Sequence, residues 1–229
     1  MYTGPDAARI REMFRSISGR YDRANTVMSA GIHHLWRRRA VRWAGIGRGD
    51  RVLDCATGTG DLAIAFHRAG ARVVGTDFVP EMIEIARHKA PDIEFEVADV
   101  TRLPFADASF DAASISFGIR NVSDPRRGIA ELARVVRPGG RVIILEFGQP
   151  PNRPFRALYD FYRTRILPRL GGAVTGEKAA YEYLERSASK FPCGEELVAM
   201  MKESTDFERV EYRTLSMGIA YLYRGTVSS

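Results

Sequence analysis

Val52-Leu53-Asp54-Cys55-Ala56-Thr57-Gly58-Thr59-Gly60-Asp61-Leu62 decides how this chain is read. An apolar run of β-forming residues ends in an acid, two glycines make a turn, and a helical pattern opens at Asp61. Strand, glycine turn and helix start, in that order, cradle a nucleotide-like ligand. Gly58 and Gly60 let the backbone bend sharply and approach a ligand with no Cβ in the way. The first N–H groups of the helix favour a carboxylate or phosphate in the same space. Many plain strand-to-helix connections also use two glycines, so the surroundings must decide.

Outward from this turn, strand and helix patterns alternate. Strands are expected at 51–55, 72–76, 93–98, 111–116 and 141–147, with helices at 61–69, 80–89 and 125–136 between them. Pro80 and Pro125 suit a first helical turn, where the missing N–H costs nothing. The alternation predicts a parallel, doubly wound α/β sheet with right-handed crossovers. Before it, 5–18 and 32–43 read as amphipathic helices. Gly19–Asn25 between them reads as an aromatic and polar break. After it come helices at 153–170, 177–189 and 195–203, then an antiparallel hairpin of 207–215 and 217–224. Pro168 is expected to kink or end the first of these. One domain is expected, with 1–46 as a helical lid, 51–147 as the ligand-binding core and 148–229 as the C-terminal helices and hairpin.

Hydrophobic residues make up 45% of the 229, enough for a sizeable core. No run of eighteen apolar residues is present, and Met1–Asp6 lacks an apolar signal region, so a cytoplasmic protein is expected. Two cysteines and four histidines, without C-x-x-C or H-E-x-x-H, argue against a metal centre. The net charge of +6 is carried almost wholly by arginine. It fits either an anionic partner or a merely solvated surface.

Two ligands suit the cradle. Gly58–Ala63 matches G-x-G-x-x-A, which a nicotinamide dinucleotide would use, and Asp77 at the end of the second strand can chelate the ribose diol of either candidate. Asp54 would oppose a pyrophosphate but suit the ammonium of a methionine moiety. Asp99 can accept from an adenine amino group. No Y-x-x-x-K is present for alcohol–ketone hydride transfer. These three features favour S-adenosylmethionine.

Gly58–Leu62, Ala98-Asp99 with Leu103-Pro104-Phe105, and Asp107–Asp111 resemble class I methyltransferases. Ser114–Val122 is narrower. With Arg20-Tyr21-Asp22-x-x-Asn25 and Gly31–Trp36, it resembles the ubiquinone/menaquinone-biosynthesis C-methyltransferases from Phe14 to Gly225. Thr57 departs from that pattern, where glycine is common. The resemblance implies a seven-stranded Rossmann-like class I methyltransferase sheet under an N-terminal helical cap. Carried over by position, it implies S-adenosylmethionine contacts at Thr59, Asp77, Asp99, Val100 and Ser116, which join Gly58, Gly60 and Asp54 read from the turn itself; no metal is expected.

The implied reaction is C-methylation of a polyprenyl quinol in menaquinone and/or ubiquinone biosynthesis. A hydroxylated ring becomes carbon-nucleophilic when it loses a proton, and Arg120 just past the fourth strand is placed to stabilise the oxyanion. Arginine holds its own proton too firmly to be the base. Asn121 is expected to orient Arg120 or bond a substrate oxygen, and Tyr21 to close the site. His33 is an alternative base, though a structural role suits it better. The other expected partners are the inner face of a membrane, with 153–170 as the docking helix, and a second copy in a homodimer. Nucleic acid is not expected. Methylation of RNA or of another small aromatic acceptor, and a cofactor-binding regulator without turnover, stay open at this point.

Overall fold

The structure, a computed structural model, describes Tyr2 and residues 4–228. Its centre is a seven-stranded sheet: β1 (Arg51–Cys55), β2 (Arg72–Asp77), β3 (Glu94–Val97), β4 (Phe110–Ser116), β5 (Val136–Phe147), β6 (Phe207–Leu215) and β7 (Ala220–Val227). Their spatial order is β3-β2-β1-β4-β5-β7-β6. The first five strands run parallel, and β7 lies antiparallel between β5 and β6. The order reverses between β1 and β4, and such a switch point is where an open α/β sheet binds its ligand.

Period-two alternation assigns the strand side chains to two cores. Leu53, Cys55, Ala113, Ile115, Val142 and Ile144 face one layer. Val52, Val73, Ile143 and Leu145 face the other. Each fully buried Leu or Ile contributes about 1.5–3 kcal/mol relative to exposure. On the first face α6 (Pro125–Arg134) and α10 (Glu195–Ser204) cover the sheet. On the second lie α3 (Ile32–Ala44), α4 (Asp61–Arg68) and α5 (Pro80–Lys89). Pro125 sits in the first turn of α6 behind Asp124, whose side chain accepts from the Arg127 N–H.

The remaining helices depart from the sequence reading in three places. Gly19–Asn25 is no break: a 3₁₀ turn over Ser18–Arg20 leads directly into α2 (Tyr21–Ser29), which follows α1 (Ala7–Ile17). Segment 153–170 is not one helix with a proline stop. It comprises α7 (Arg153–Phe161), a π-helical turn at Tyr162–Ile166, and α8 (Leu167–Thr175). Pro168 stands in the first turn of α8, where its missing N–H is harmless, and the wider π turn absorbs the misfit. The N-terminal helices also do more than lie over the sheet. Ile17, Ala24 and Met28 pack with Ala180 and Tyr181 of α9 (Lys178–Lys190) in a third apolar cluster. Lid and C-terminal helices thus form one roof above the ends of β1, β4 and β5.

Candidate functional site

Two cavities open beneath that roof. The small one, about 70 Å³, is bordered by Gly58, Asp77, Asp99, Val100, Ser116 and Asn121, with Phe14, Tyr21 and Phe117 among its other walls. The large one, about 600 Å³, falls in the range of ligand sites and is walled mainly by apolar and aromatic side chains. Phe14, Tyr21 and Phe117 line both.

Backbone strain marks the ends of both switch-point strands. Ala56 after β1 and Phe117 after β4 have φ of 47° and 55°, unusual for residues with a Cβ. Gly118 is required beside them, since a Cβ there would stand 2.5 Å from the Ala56 Cβ. Gly58 and Gly60 take φ of 56° and 86°, the freedom expected of the turn.

Of the residues expected to hold a cofactor, five border the small cavity and three do not. Asp77 is buried there. Its Oδ2 accepts from the Gly58 N–H at 2.9 Å and its Oδ1 from the Val79 N–H at 3.0 Å. Burial pushes its pKa up to about 6, although these N–H groups pull the other way. Asp99 accepts from the Thr101 N–H and hydroxyl through Oδ1. Among the described residues the buried Ser116 hydroxyl has no hydrogen-bond partner, which leaves it open to a ligand's polar group. Two carboxylates and this orphaned hydroxyl suit a ligand bearing a diol and amino groups, as S-adenosylmethionine does.

Asp54 sits apart from those five. It is turned inward, accepting from the hydroxyls of Thr57 at 2.7 Å and Ser114 at 2.6 Å, and does not border the cavity. Burial raises its pKa to about 6 despite both bonds. Thr57, where the family pattern favours glycine, thereby steadies the turn. Thr59 and Gly60 also lie off the cavity. The Thr59 hydroxyl donates to Asp22 at 2.5 Å, and Gly60 backs onto the Phe95 ring.

Asp22 is a tie that the sequence did not disclose. Besides Thr59 it receives Lys89 Nζ at 2.7 Å, and Lys89 also reaches Asp61 at 2.5 Å. The bonds fasten α2 to the glycine turn and to α5. With the Asp22 side chain 40% exposed, the ion pair is worth less than about 1 kcal/mol. Asp22→Asn is therefore expected to lower Tm by no more than about 2–4 °C. It should speed amide exchange across 7–29, which mass-resolved hydrogen exchange reads. Unchanged exchange would show that the apolar cluster alone holds the lid.

Arg120 is no surface guanidinium. It is buried at the edge of the large cavity, donating through Nη1 to Glu146 Oε1 at 2.7 Å and to the Phe117 carbonyl at 2.5 Å. Its Cζ lies over the Phe147 ring, 5.3 Å from the centroid, and among the described residues its buried Nε has no hydrogen-bond partner. Glu146 also accepts from the Phe147 N–H at 2.8 Å. Burial raises the Glu146 pKa, with Arg120 opposing that rise. The residue that orients Arg120 is thus Glu146, not Asn121. Asn121 borders the small cavity and accepts from the Tyr183 hydroxyl at 3.0 Å. Tyr183 itself lines the large cavity, which no periodicity in α9 announces.

His33 is buried with Nδ1 2.6 Å from the Ser29 hydroxyl. Burial, then Arg37 and His34, push its pKa down to about 4, which makes it a weak base. His33, His34 and Asp61 converge closely enough to bind a cation. The Asp61 carboxylate, however, is already held by Arg37 at 2.8 Å and by Lys89, so their positive charges oppose one.

Residues 3–227 match the ubiE/COQ5 methyltransferase family. The chain is 55% identical to a protein of Bdellovibrio bacteriovorus named ubiquinone/menaquinone biosynthesis C-methyltransferase UbiE, over 97% of each. It is 46% identical to a demethylmenaquinone methyltransferase of Thermus thermophilus, over 93% of this chain and 99% of that one. Among solved structures it resembles a SAM-dependent methyltransferase of Thermotoga maritima, described as a possible histamine N-methyltransferase. The TM-score is 0.68 at 22% identity, over 96% of this chain and 100% of that one. At that identity the likeness speaks for the class I methyltransferase fold alone.

Proposed function

The chain belongs to the ubiE/COQ5 methyltransferase family, and on that premise we propose that it transfers a methyl group from S-adenosylmethionine to a ring carbon of a polyprenyl quinol, in menaquinone and/or ubiquinone biosynthesis. The observation that carries this reading is the shared wall. A small cavity edged by acids and a large apolar one meet at Phe14, Tyr21 and Phe117. A polar methyl donor in the one and a greasy ring in the other would meet across those three side chains.

When bound, S-adenosylmethionine supplies a methyl group on a positive sulfur, a good leaving group that needs no acid. The residues suited to hold it are Asp77 for the ribose, Asp99 and Val100 for the adenine, and Ser116 and Gly58 near the strand ends. The protein's further tasks are alignment and charge. Arg120 carries a fixed positive charge into a low-dielectric pocket, where it stabilises an oxyanion on the acceptor ring far better than water does. Loss of the hydroxyl proton to water would leave that oxyanion to push electron density to the ring carbon, which would form the new C–C bond as the methyl's bond to sulfur breaks. Tyr21, half-buried between the cavities, would offer the acceptor a further O–H group, while the Tyr183 hydroxyl lining the large cavity donates to Asn121. The ring's proton then leaves to water, since Arg120 keeps its own. The apolar walls exclude bulk water from this charge.

Purified protein with methyl-labelled S-adenosylmethionine is expected to label a demethylated naphthoquinol or benzoquinol on ring carbon, located by mass fragmentation. Labelling of neither quinol, or labelling of RNA instead, would overturn the acceptor.

A further inference from the structure

We propose that the rim of the large cavity is a docking surface for an anionic phospholipid bilayer, set so that an acceptor's hydrocarbon tail enters from lipid without crossing water. This rests on the reading of the acceptor as a polyprenyl quinol.

Four side chains that line the cavity are at the same time open to solvent: Ile32 at 40%, Leu158 at 65%, Phe161 at 59% and Ile166 at 38%. They belong to α3, α7 and the π turn, so they ring an opening and do not form one helix face packed on a neighbour. The expected aromatic stripe of 153–170 is thereby divided. Phe155, Tyr159 and Tyr162 turn inward as cavity wall, while Leu158 and Phe161 stand at the mouth. Large apolar side chains held in water around a pocket mouth mark a surface meant to be covered.

Charge selects what covers it. Segment 153–170 carries five arginines against one aspartate. Asp160 is spent on Arg163, which also pairs with Glu185. Arg153, Arg165 and Arg169 are exposed and have no ion pair with any described carboxylate. An apolar ring beside unpaired guanidinium groups matches an interface with hydrocarbon below and anionic headgroups beside it. The chain crosses nothing in doing so, since among the described residues no helix is long and apolar enough to span a bilayer.

The test is co-sedimentation of the full chain, with no acceptor present, on phosphatidylcholine vesicles with and without phosphatidylglycerol. Binding is expected only with phosphatidylglycerol and should weaken as salt rises. Each arginine neutralised should cost roughly fivefold, so the triple variant Arg153→Gln/Arg165→Gln/Arg169→Gln should bind roughly a hundredfold more weakly. That variant should keep its turnover on a short-chain, water-soluble quinol. Leu158→Ser/Phe161→Ser should also leave the vesicles, while its S-adenosylmethionine affinity reports that it is folded. Wild-type protein left in the supernatant overturns the proposal, as does vesicle binding that the triple variant retains. Binding of RNA in place of vesicles assigns the arginines to nucleic acid and overturns it too, as does a dimer that Leu158→Ser/Phe161→Ser dissolves without lipid. Vesicle binding with neither quinol methylated leaves the docking surface standing and removes the substrate. Methylation of a soluble quinol without vesicle binding does the reverse.

Discussion

Arg120→Ala is expected to lower kcat by roughly 10²–10³-fold while leaving the dissociation constant for S-adenosylmethionine within about twofold. The guanidinium borders the large cavity, so its loss falls on the charge that develops in the acceptor ring and not on donor binding. The structure adds a complication that must be separated from chemistry. Arg120 and Glu146 form a buried pair, with side chains 5% and 1% exposed. Removing one partner strands the other in apolar surroundings, at a cost of about 3–5 kcal/mol. Arg120→Ala alone would lose activity partly by unfolding. The double variant Arg120→Ala/Glu146→Gln removes both charges and should regain most of the lost thermal stability. Its turnover should stay at the level of the single variant. Arg120→Lys keeps the charge but loses the guanidinium whose Nη1 reaches both Glu146 and the Phe117 carbonyl, and should fall between parent and alanine. Turnover that recovers together with stability in the double variant would reduce Arg120 to a structural part.

Glu146 shows why the site was only half legible. The glycine turn, the acids ending β2 and following β3, and the arginine after β4 each announce themselves locally, because the chain's direction changes at them. Their partners do not. Glu146 lies 26 residues beyond Arg120 at the end of a neighbouring strand, and only the β4–β5 register brings them together. Asp22 and Lys89 are 67 apart and meet because the lid folds back over α5. Asp54 illustrates the opposite case. An acid before a glycine turn faces the ligand or the core according to what sits beneath it. Here Ser114 of β4 and Thr57 supply two hydroxyls on the inner side. The two cores follow from period-two alternation along the strands. The large cavity does not, because helices from opposite ends of the chain enclose it.

Asp77→Ala is expected to weaken S-adenosylmethionine binding by roughly 10–150-fold, the worth of about 1.5–3 kcal/mol for charge-assisted hydrogen bonds. Part of this loss is indirect, since the Gly58 and Val79 N–H groups lose their acceptor and the turn loosens. Asp77→Asn, which keeps an acceptor oxygen but no charge, should lie between parent and alanine. The same carboxylate makes binding pH-dependent. Its pKa is raised by burial from 3.8 to about 6, and the ionised form is the one that accepts from a diol. Donor affinity should therefore fall as pH drops through 6, by about tenfold at pH 5. Stability of the ligand-free protein should move the other way. Between the ordinary carboxylate pKa and about 6, the folded chain holds protons on Asp77 and Asp54 that the unfolded chain has released. Acidification through that window stabilises the fold, and the gain is lost as pH rises past 6. Calorimetric titration and melting at pH 7.5 and 5 would read both trends, and Asp77→Asn should flatten the binding profile. A pH-independent affinity in the parent would detach Asp77 from the donor and leave it a capping group of the glycine turn.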